Sequence, residues 1–224
     1  MRLIKVFGLA AIAGTAFMAI VGVGLAMAQT TLEDVVWCAK RENLCSEGQH
    51  FPPGTEIFAT GTGTQFLSSL GTVSCTASQL NMTNQELLVH GIVTALAFGT
   101  CTRTGGEACT VIAKNLQYLF EGQLKSDHKK YEVRITEKAP NGPPQVKIEC
   151  GMFISCTYTA KSVSIEAQLA FAPERLSISQ ELIVSEGLFC GANPVWHGTY
   201  TVQCRQNAGS ALKNCWVKME EPEL

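Results

Sequence analysis

The stretch from Tyr131 to Cys150, YEVRITEKAPNGPPQVKIEC, decides the fold class. Apolar side chains occupy every second position from Tyr131 to Ile135 and again from Val146 to Cys150, and a turn rich in Pro, Asn and Gly separates the two runs. A period of two places alternate side chains on one face of a strand. The stretch therefore predicts two strands joined as a hairpin, each with one buried face.

The alternation continues through SVSIEAQLAF (162–171) and RLSISQELIV (175–184), where a change of phase near Gln180 predicts a bulge or bend. The run ELLVHGIVTALAF (86–98) predicts strand, with a buried helix as the alternative, because a glycine and branched residues disfavour helix. A helix is favoured only in TLEDVVWCAKREN (31–43), and a strand entering a Cys38 to Cys45 loop is the alternative there.

These patterns predict an all-β fold, an antiparallel β-sandwich that is Ig-like or related and is stapled by disulfides. We expect one domain from residue 29 to residue 224. The polar segment at 122–130 marks an alternative division into two packed halves.

The first 28 residues have the pattern of a signal peptide. Arg2 and Lys5 precede an uncharged apolar stretch that ends at Ala26-Met27-Ala28, a small-x-small cleavage pattern. We predict cleavage that leaves Gln29 as the first mature residue and places the protein outside the cell or on its surface. An uncleaved anchor is the alternative, because the stretch reaches the roughly 20 residues that cross a bilayer.

Charge and carboxylate composition exclude several function classes. Without residues 1–28 the chain has 15 basic and 19 acidic residues, so its formal charge is −4, which argues against binding nucleic acid or an anionic membrane by charge. Only Asp34 and Asp127 are aspartates among the acidic residues. This excludes calcium loops built on repeated aspartates and any paired-aspartate active site, and we expect no metal and no cofactor.

All ten cysteines follow the predicted cleavage site, which favours a disulfide framework in an oxidising compartment. In CTRTGGEAC (101–109) the two cysteines enclose turn chemistry with a Gly-Gly pair, and their spacing fits neither a zinc knuckle nor a redox motif. Proximity in the sequence predicts four local pairs and one long-range pair: Cys38 with Cys45, Cys101 with Cys109, Cys150 with Cys156, Cys204 with Cys215, and Cys75 with Cys190.

Several of these segments also resemble a known group of proteins. WCAKRENLCSEGQHFPPGTEIFATGTG (37–63) has a cysteine pair before a P-x-G-T stretch, GTVSCTAS (71–78) has a V-x-C-x-x-S strand, and Gly198 to Val202 reads G-T-Y-x-V. In these pieces the chain resembles uncharacterised, secreted, cysteine-rich β-proteins of soil actinobacteria. The resemblance implies a small exported bacterial β-protein and implies no activity.

The sequence contains none of the common catalytic motifs. There is no Gly-x-Ser-x-Gly elbow, no His-Glu-x-x-His helix and no phosphate loop, so we predict no catalytic residue. The four histidines are scattered, and His90 lies among apolar neighbours as a core residue would. Glu132, Glu149 and Glu166 occupy the polar positions of alternating strands, which is typical of a solvated sheet face. A secreted hydrolase that uses such glutamates or histidines is the alternative hypothesis.

Binding is the favoured hypothesis for function. Trp196 and His197 follow Asn193-Pro194, so we expect them to project from a loop where the tryptophan ring could stack on a sugar. Core packing beside a disulfide is the alternative for this tryptophan. The sequence therefore predicts an exported, non-enzymatic interaction or structural protein whose partner is a cell-wall glycan or another surface protein.

Overall fold

The computed structural model describes residues 35–42, 44–125, 130–168 and 174–220. The predicted signal peptide, Asp34, Asp127 and His128 lie outside the described residues. Within these ranges the chain forms strands and one short 3-10 helix, so the predicted all-β fold is confirmed. No helix in the described ranges is long and apolar enough to cross a membrane. The described residues belong to one compact unit.

Nineteen strands occur in the described part of the chain, together with the 3-10 helix Glu47–Gln49. They are β1 (Val35–Cys38), β2 (Leu44–Cys45), β3 (Glu56–Gly61), β4 (Thr64–Ser68), β5 (Gly71–Cys75), β6 (Ser78–Asn84), β7 (His90–Phe98), β8 (Cys101–Arg103), β9 (Ala108–Lys114), β10 (Leu119–Leu124), β11 (Tyr131–Thr136), β12 (Gln145–Cys150), β13 (Ile154–Thr159), β14 (Ser162–Gln168), β15 (Arg175–Glu181), β16 (Ile183–Leu188), β17 (Val195–Arg205), β18 (Lys213–Asn214) and β19 (Trp216–Glu220).

Eight strands close into an antiparallel barrel. Their order is β15-β14-β11-β10-β7-β6-β3-β17, and β17 pairs with β15 to complete the ring. An interior of this size is filled by side chains rather than water. The alternating apolar residues of the strands supply that filling, for example Val133, Ile165 and Phe120, which are all fully buried. The predicted two-sheet sandwich, Ig-like or related, is therefore replaced by a closed ring with further strands outside it.

The remaining long strands form an outer sheet. Its first strand, β4, pairs with β17 of the barrel, and its last strand, β16, continues the chain from β15 of the barrel. The first residues of β17 pair with β4, and the order then runs β4-β5-β8-β9-β12-β13-β16. Strand β16 follows β15 after the single residue Leu182, so the chain passes from the barrel into the outer sheet at that point. The bend that the sequence predicts near Gln180 corresponds to this change of partner, from β17 to β13.

A small third sheet with the order β1-β19-β2 packs against one end of the barrel. Its residue Trp37 is fully buried, and a disulfide joins Cys204 of β17 to Cys215 just before β19. Residues 35–38 are a strand, so the helix predicted at 31–43 is wrong for this part, and the alternative of a strand entering the Cys38 to Cys45 loop is confirmed.

The two strands of the opening stretch exist, but they do not pair with each other. Strand β11 pairs with β10 and β14 in the barrel, whereas β12 pairs with β9 and β13 in the outer sheet. The segment between them, 137–144, crosses from one sheet to the other, where Asn141 Nδ2 donates to the carbonyl of Leu116 at 3.1 Å. Period-two alternation predicts strands but contains no information about their partners, so the predicted hairpin is wrong.

All ten cysteines form disulfides, and three of the five predicted pairings are wrong. The pairs Cys38–Cys45 and Cys204–Cys215 are confirmed. Two of the remaining bonds, Cys75–Cys101 and Cys109–Cys150, join neighbouring strands, and the third, Cys156–Cys190, joins β13 to the loop that follows β16.

The backbone of the β8–β9 hairpin explains why Cys101 and Cys109 do not bond each other. They are direct cross-strand partners. Two positions further along the same hairpin, the Arg103 N–H donates to the Glu107 carbonyl. Because hydrogen-bonded and non-hydrogen-bonded pairs alternate along an antiparallel ladder, Cys101 and Cys109 also form the wider, hydrogen-bonded type of pair. Each then makes the closer, non-hydrogen-bonded pair with the strand on its other side. The Cα atoms are 4.0 Å apart for Cys75 and Cys101, and 4.2 Å apart for Cys109 and Cys150.

Candidate functional site

A polar groove crosses the solvent face of the outer sheet. Its volume is ≈ 440 Å³, and it is lined by residues of β9, β12, β13 and β16 and the turn after β9: Lys114, Asn115, Gln145, Lys147, Ser155, Thr157, Glu186 and Gly187. Gln145 and Lys147 face this groove because Val146 and Ile148, at alternate positions of the same strand, are buried on the other side. We call this site the polar groove.

Strands β13 and β16 are irregular where they pair beside the groove. The register shifts between Thr157 and Tyr158, where Ser185 is the extra residue of β16, and Gly187, the partner of Cys156, has a φ of +123°. A Cβ atom at Gly187 would lie 2.3 Å from the carbonyl oxygen of Ser155. Only glycine therefore permits the two backbones to approach this closely at a bulge.

The chemistry of the groove is that of hydrogen bonding by hydroxyl, amide and ammonium groups. Lys147 Nζ lies 2.7 Å from Glu149 Oε1, and this ammonium holds the pKa of Glu149 below its ordinary value. The hydroxyl of Ser155 also donates to Glu149, at 3.3 Å. Lys114 and Glu186 are exposed at the edges of the groove. Glu149 is thus ionised and suited to accept hydrogen bonds rather than to donate a proton.

Two other glutamates, which the sequence predicted to lie on a solvated sheet face, are neighbours on the outside of the barrel. Glu132 of β11 is the direct cross-strand partner of Glu166 of β14. Burial by itself raises the pKa of Glu132. Hydrogen bonds from Ser164 and from Gln123, the latter at 2.9 Å, and the nearby cationic charges outweigh burial, so the pKa of Glu132 is lowered overall.

Glu166 is held in its ionised form by two lysines. Lys125 contacts one carboxylate oxygen, and Lys130 Nζ lies 3.3 Å from the other. The hydrogen bond from Lys125 is the largest influence and lowers the pKa of Glu166. The pair at 132 and 166 therefore consists of two ionised carboxylates, and neither is a proton donor at neutral pH.

Glu174 is the carboxyl of the described residues whose pKa is clearly raised. Desolvation raises its pKa to about 8, because the side chain is fully buried. Its Oε2 atom accepts a hydrogen bond from the Val217 N–H at 2.5 Å, and the pKa of neighbouring Lys218 is lowered by the same burial. A substrate in solution cannot reach this carboxyl, so Glu174 cannot act as a general acid despite its raised pKa.

The structure separates the two predicted ligand-binding residues, Trp196 and His197. Both lie within β17, where consecutive side chains point to opposite faces, so Trp196 is 3% exposed while His197 is exposed to solvent. The Trp196 ring stacks on Phe66 at a centroid distance of 5.9 Å and meets Phe98 edge-on at 5.9 Å. Its faces are covered, so the predicted loop platform becomes a core contact.

The described histidines, His50, His90 and His197, lie in separate parts of the fold. His50 Nε2 lies 3.1 Å from the Cys45 carbonyl oxygen, and His90 Nδ1 lies 3.1 Å from a carboxylate oxygen of Glu86. His90 is the first residue of β7, and its side chain is 34% exposed. It therefore does not occupy the core position that its apolar neighbours indicated. Within the described ranges no three His, Cys, Asp or Glu side chains cluster as metal ligands would.

None of the residues that line the groove was predicted from the sequence as a site; of the glutamates predicted to lie on a solvated sheet face, Glu149 lies beside the groove, in contact with Lys147. The polar alternation of β12 is visible in the sequence QVKIEC, but the irregular pairing of β13 with β16 beside the groove is a property of the folded sheet. The chain matches no protein-family model, no curated protein and no solved structure.

Proposed function

We propose that the protein is an exported, non-enzymatic interaction module, acting at the cell surface or in the extracellular medium, that binds a hydroxyl-rich polymer such as a cell-wall glycan in the polar groove. Another surface protein is the alternative partner. Export is supported by the five disulfides, which indicate an oxidising, extracellular environment. The signal-peptide pattern of residues 1–28 and the resemblance to bacterial secreted proteins agree with this proposal.

The observation that most supports binding is the placement of the groove on a cross-linked sheet. Cys109–Cys150 joins β9 to β12, and Cys156–Cys190 joins β13 to the loop directly after β16, so covalent bonds restrain the strands that line the groove. A site that is already rigid loses less conformational entropy when it binds. Rows of hydroxyl, amide and ammonium groups at fixed spacing match the repeated hydroxyls of a polysaccharide.

A secreted hydrolase is the alternative, and the Glu132 and Glu166 pair is the observation in its favour. Direct cross-strand partners have Cβ atoms about 4.5–5.5 Å apart, which is compatible with a carboxylate pair of a retaining glycosidase. Such an enzyme needs one protonated carboxyl as general acid, whereas the pKa of each of these two groups is lowered. Binding without catalysis is therefore the better-supported proposal.

Retention on insoluble cell-wall polysaccharide tests the proposal. We expect the wild-type protein to be retained and the double variant Lys114→Ala/Gln145→Ala, which removes two cross-strand neighbours from the groove, to bind about tenfold more weakly. The matched control Gln79→Ala/Lys213→Ala changes the same residue types at exposed positions of β6 and β18, and it should bind like the wild type.

Equal retention of the wild type and the groove variant, or no retention of the wild type, would overturn the glycan proposal. The same samples can be assayed for release of reducing sugar ends. Release by the wild type that disappears in Glu132→Gln or Glu166→Gln would establish the hydrolase alternative instead.

A further inference from the structure

Four exposed apolar side chains gather in turns at one end of the outer sheet, whereas Ile112 and Ile183 are exposed within its strands β9 and β16. Strand directions place the turns 69–70, 151–153 and 189–194 at this end, because β4, β12 and β16 all run towards it. Three contacts confirm that the turns are neighbours. Ser155 pairs with residue 188, Cys190 is bonded to Cys156, and a Cβ atom at Gly191 would lie 2.9 Å from Ser68 Oγ and 3.2 Å from Leu70 Cγ.

These turns present four large apolar side chains to solvent: Leu70, Met152, Phe153 and Phe189, which we call the apolar tip. Their exposed fractions are 41%, 90%, 75% and 78%. A single exposed apolar residue needs no explanation, but a group of them from three loops at one end of a molecule marks an interaction site.

The apolar tip has no charge of its own. None of the residues at 69–70, 151–153 and 189–194 is charged. The neighbouring turn after β8 contains Glu107, whose carboxylate lies 3.4 Å from the Arg103 guanidinium, so these two charges offset each other. An occupant of the tip is therefore recognised by its apolar character and not by its charge.

The shape of the apolar tip favours contact with a deformable apolar phase over contact with a folded protein. The recess enclosed by the three turns, between residues such as Phe66, Tyr158 and Pro194, has a volume of only ≈ 20 Å³. This is room for about one water molecule and not for an inserted side chain. The tips protrude instead, and disulfides anchor two of the strands that support them, so they are positioned to enter a fluid apolar phase.

We propose that the apolar tip inserts into the interfacial region of a lipid bilayer. Phe153 and Phe189 lie at the depth of the headgroups and upper acyl chains, and Met152, the most exposed of the four, enters furthest. Because the loops are uncharged, insertion requires no anionic lipid and is insensitive to ionic strength. This surface is formed by the turns of the outer sheet and shares no residue with the polar groove on its face.

Vesicle binding of the exported protein tests this proposal. We expect it to co-sediment with phosphatidylcholine vesicles equally at low and high ionic strength. The variant Met152→Ser/Phe153→Ser and the variant Phe189→Ser should each bind at least about tenfold more weakly. The matched control Leu87→Ser/Leu212→Ser changes two exposed leucines, 42% and 47% exposed, in loops at the opposite end, and it should bind like the wild type.

Amide hydrogen exchange gives a local readout that does not depend on any other membrane-binding segment. Vesicles should slow exchange at 151–154 and 189–192 and leave 85–89 and 206–212 unchanged. Binding that requires anionic lipid and fails at high salt would overturn the proposal, as would unchanged exchange at the tip. Protection of the tip by raised protein concentration without vesicles would assign the surface to a second copy of the chain instead.

Discussion

At the scale of single residues, Glu174 has the least ordinary environment in the described chain. Its carboxyl is fully buried, and Oε2 accepts the Val217 N–H of β19 while its backbone carbonyl accepts the Val202 N–H of β17 at 3.1 Å. One residue thus joins the barrel to the small sheet at its end. Nothing in the sequence around Glu174 distinguishes it from the exposed glutamates, since its burial results from three segments far apart in the chain.

The buried carboxyl predicts that stability depends on pH. The pKa of Glu174 is about 8 in the folded protein against 4.5 for an ordinary glutamate, because burial disfavours its charge. Its contribution is fully present below pH 4.5. The unfolded chain loses this proton first as the pH rises, so the free energy of unfolding should fall between pH 4.5 and about 8, by up to about 1.4 kcal/mol per pH unit.

Urea unfolding at several pH values across this window measures the effect. The variant Glu174→Gln keeps the shape of the side chain and cannot ionise, so it should have a shallower dependence on pH. Exposed Glu181→Gln is the control and should retain the wild-type slope. Identical slopes in the wild type and Glu174→Gln would contradict the assignment.

At the scale of elements, the sequence predicted strands well and their partners poorly. Strand β12 has the predicted alternation, yet it lies between β9 and β13 rather than beside β11. The disulfides repeat this lesson, because Cys75, Cys101, Cys109 and Cys150 lie in one cross-strand row over four strands. Which neighbours bond is decided by the hydrogen-bonding phase of each ladder, a property of the folded sheet.

The length of chain that each disulfide closes predicts how much that bond stabilises the fold. The Cys109–Cys150 bond spans 41 residues and the Cys38–Cys45 bond spans 7. On the chain-entropy argument, Cys109→Ala/Cys150→Ala should lower the free energy of unfolding by about 4 kcal/mol, and Cys38→Ala/Cys45→Ala by about 2.4 kcal/mol. Denaturant unfolding of the two double variants gives the comparison. An equal or larger loss in the 38/45 variant would contradict the ranking.

At the scale of the whole molecule, a single aromatic cluster joins the barrel to the outer sheet. Phe98 belongs to β7 of the barrel, Phe66 belongs to β4 of the outer sheet, and Trp196 lies on β17, which both sheets share. The three rings contact each other with centroid distances of 5.5 to 5.9 Å. Trp196 therefore packs between the barrel and the outer sheet, and the binding surfaces proposed above lie elsewhere.

Truncation of this ring should affect the fold before it affects binding. We expect Trp196→Ala to lower the free energy of unfolding by about 3–5 kcal/mol, because it removes the largest ring from the cluster and leaves a cavity. His197→Ala, its exposed neighbour in β17, should change stability by less than about 0.5 kcal/mol. Denaturant unfolding separates the two. A stable Trp196→Ala variant that fails to bind polysaccharide would return this tryptophan to a binding role.

The sequence by itself determined the properties that depend on neighbouring residues. Alternation predicted the strands, the even cysteine count in a predicted exported chain predicted full disulfide pairing, and the lack of catalytic motifs directed attention to binding. Only the tertiary structure decided that the strands close into a barrel, which cysteines bond, and where a concave polar face and a protruding apolar tip arise. The physical reason is that side-chain alternation is local, whereas strand pairing joins residues far apart, and register, bulges and burial exist only once those partners meet.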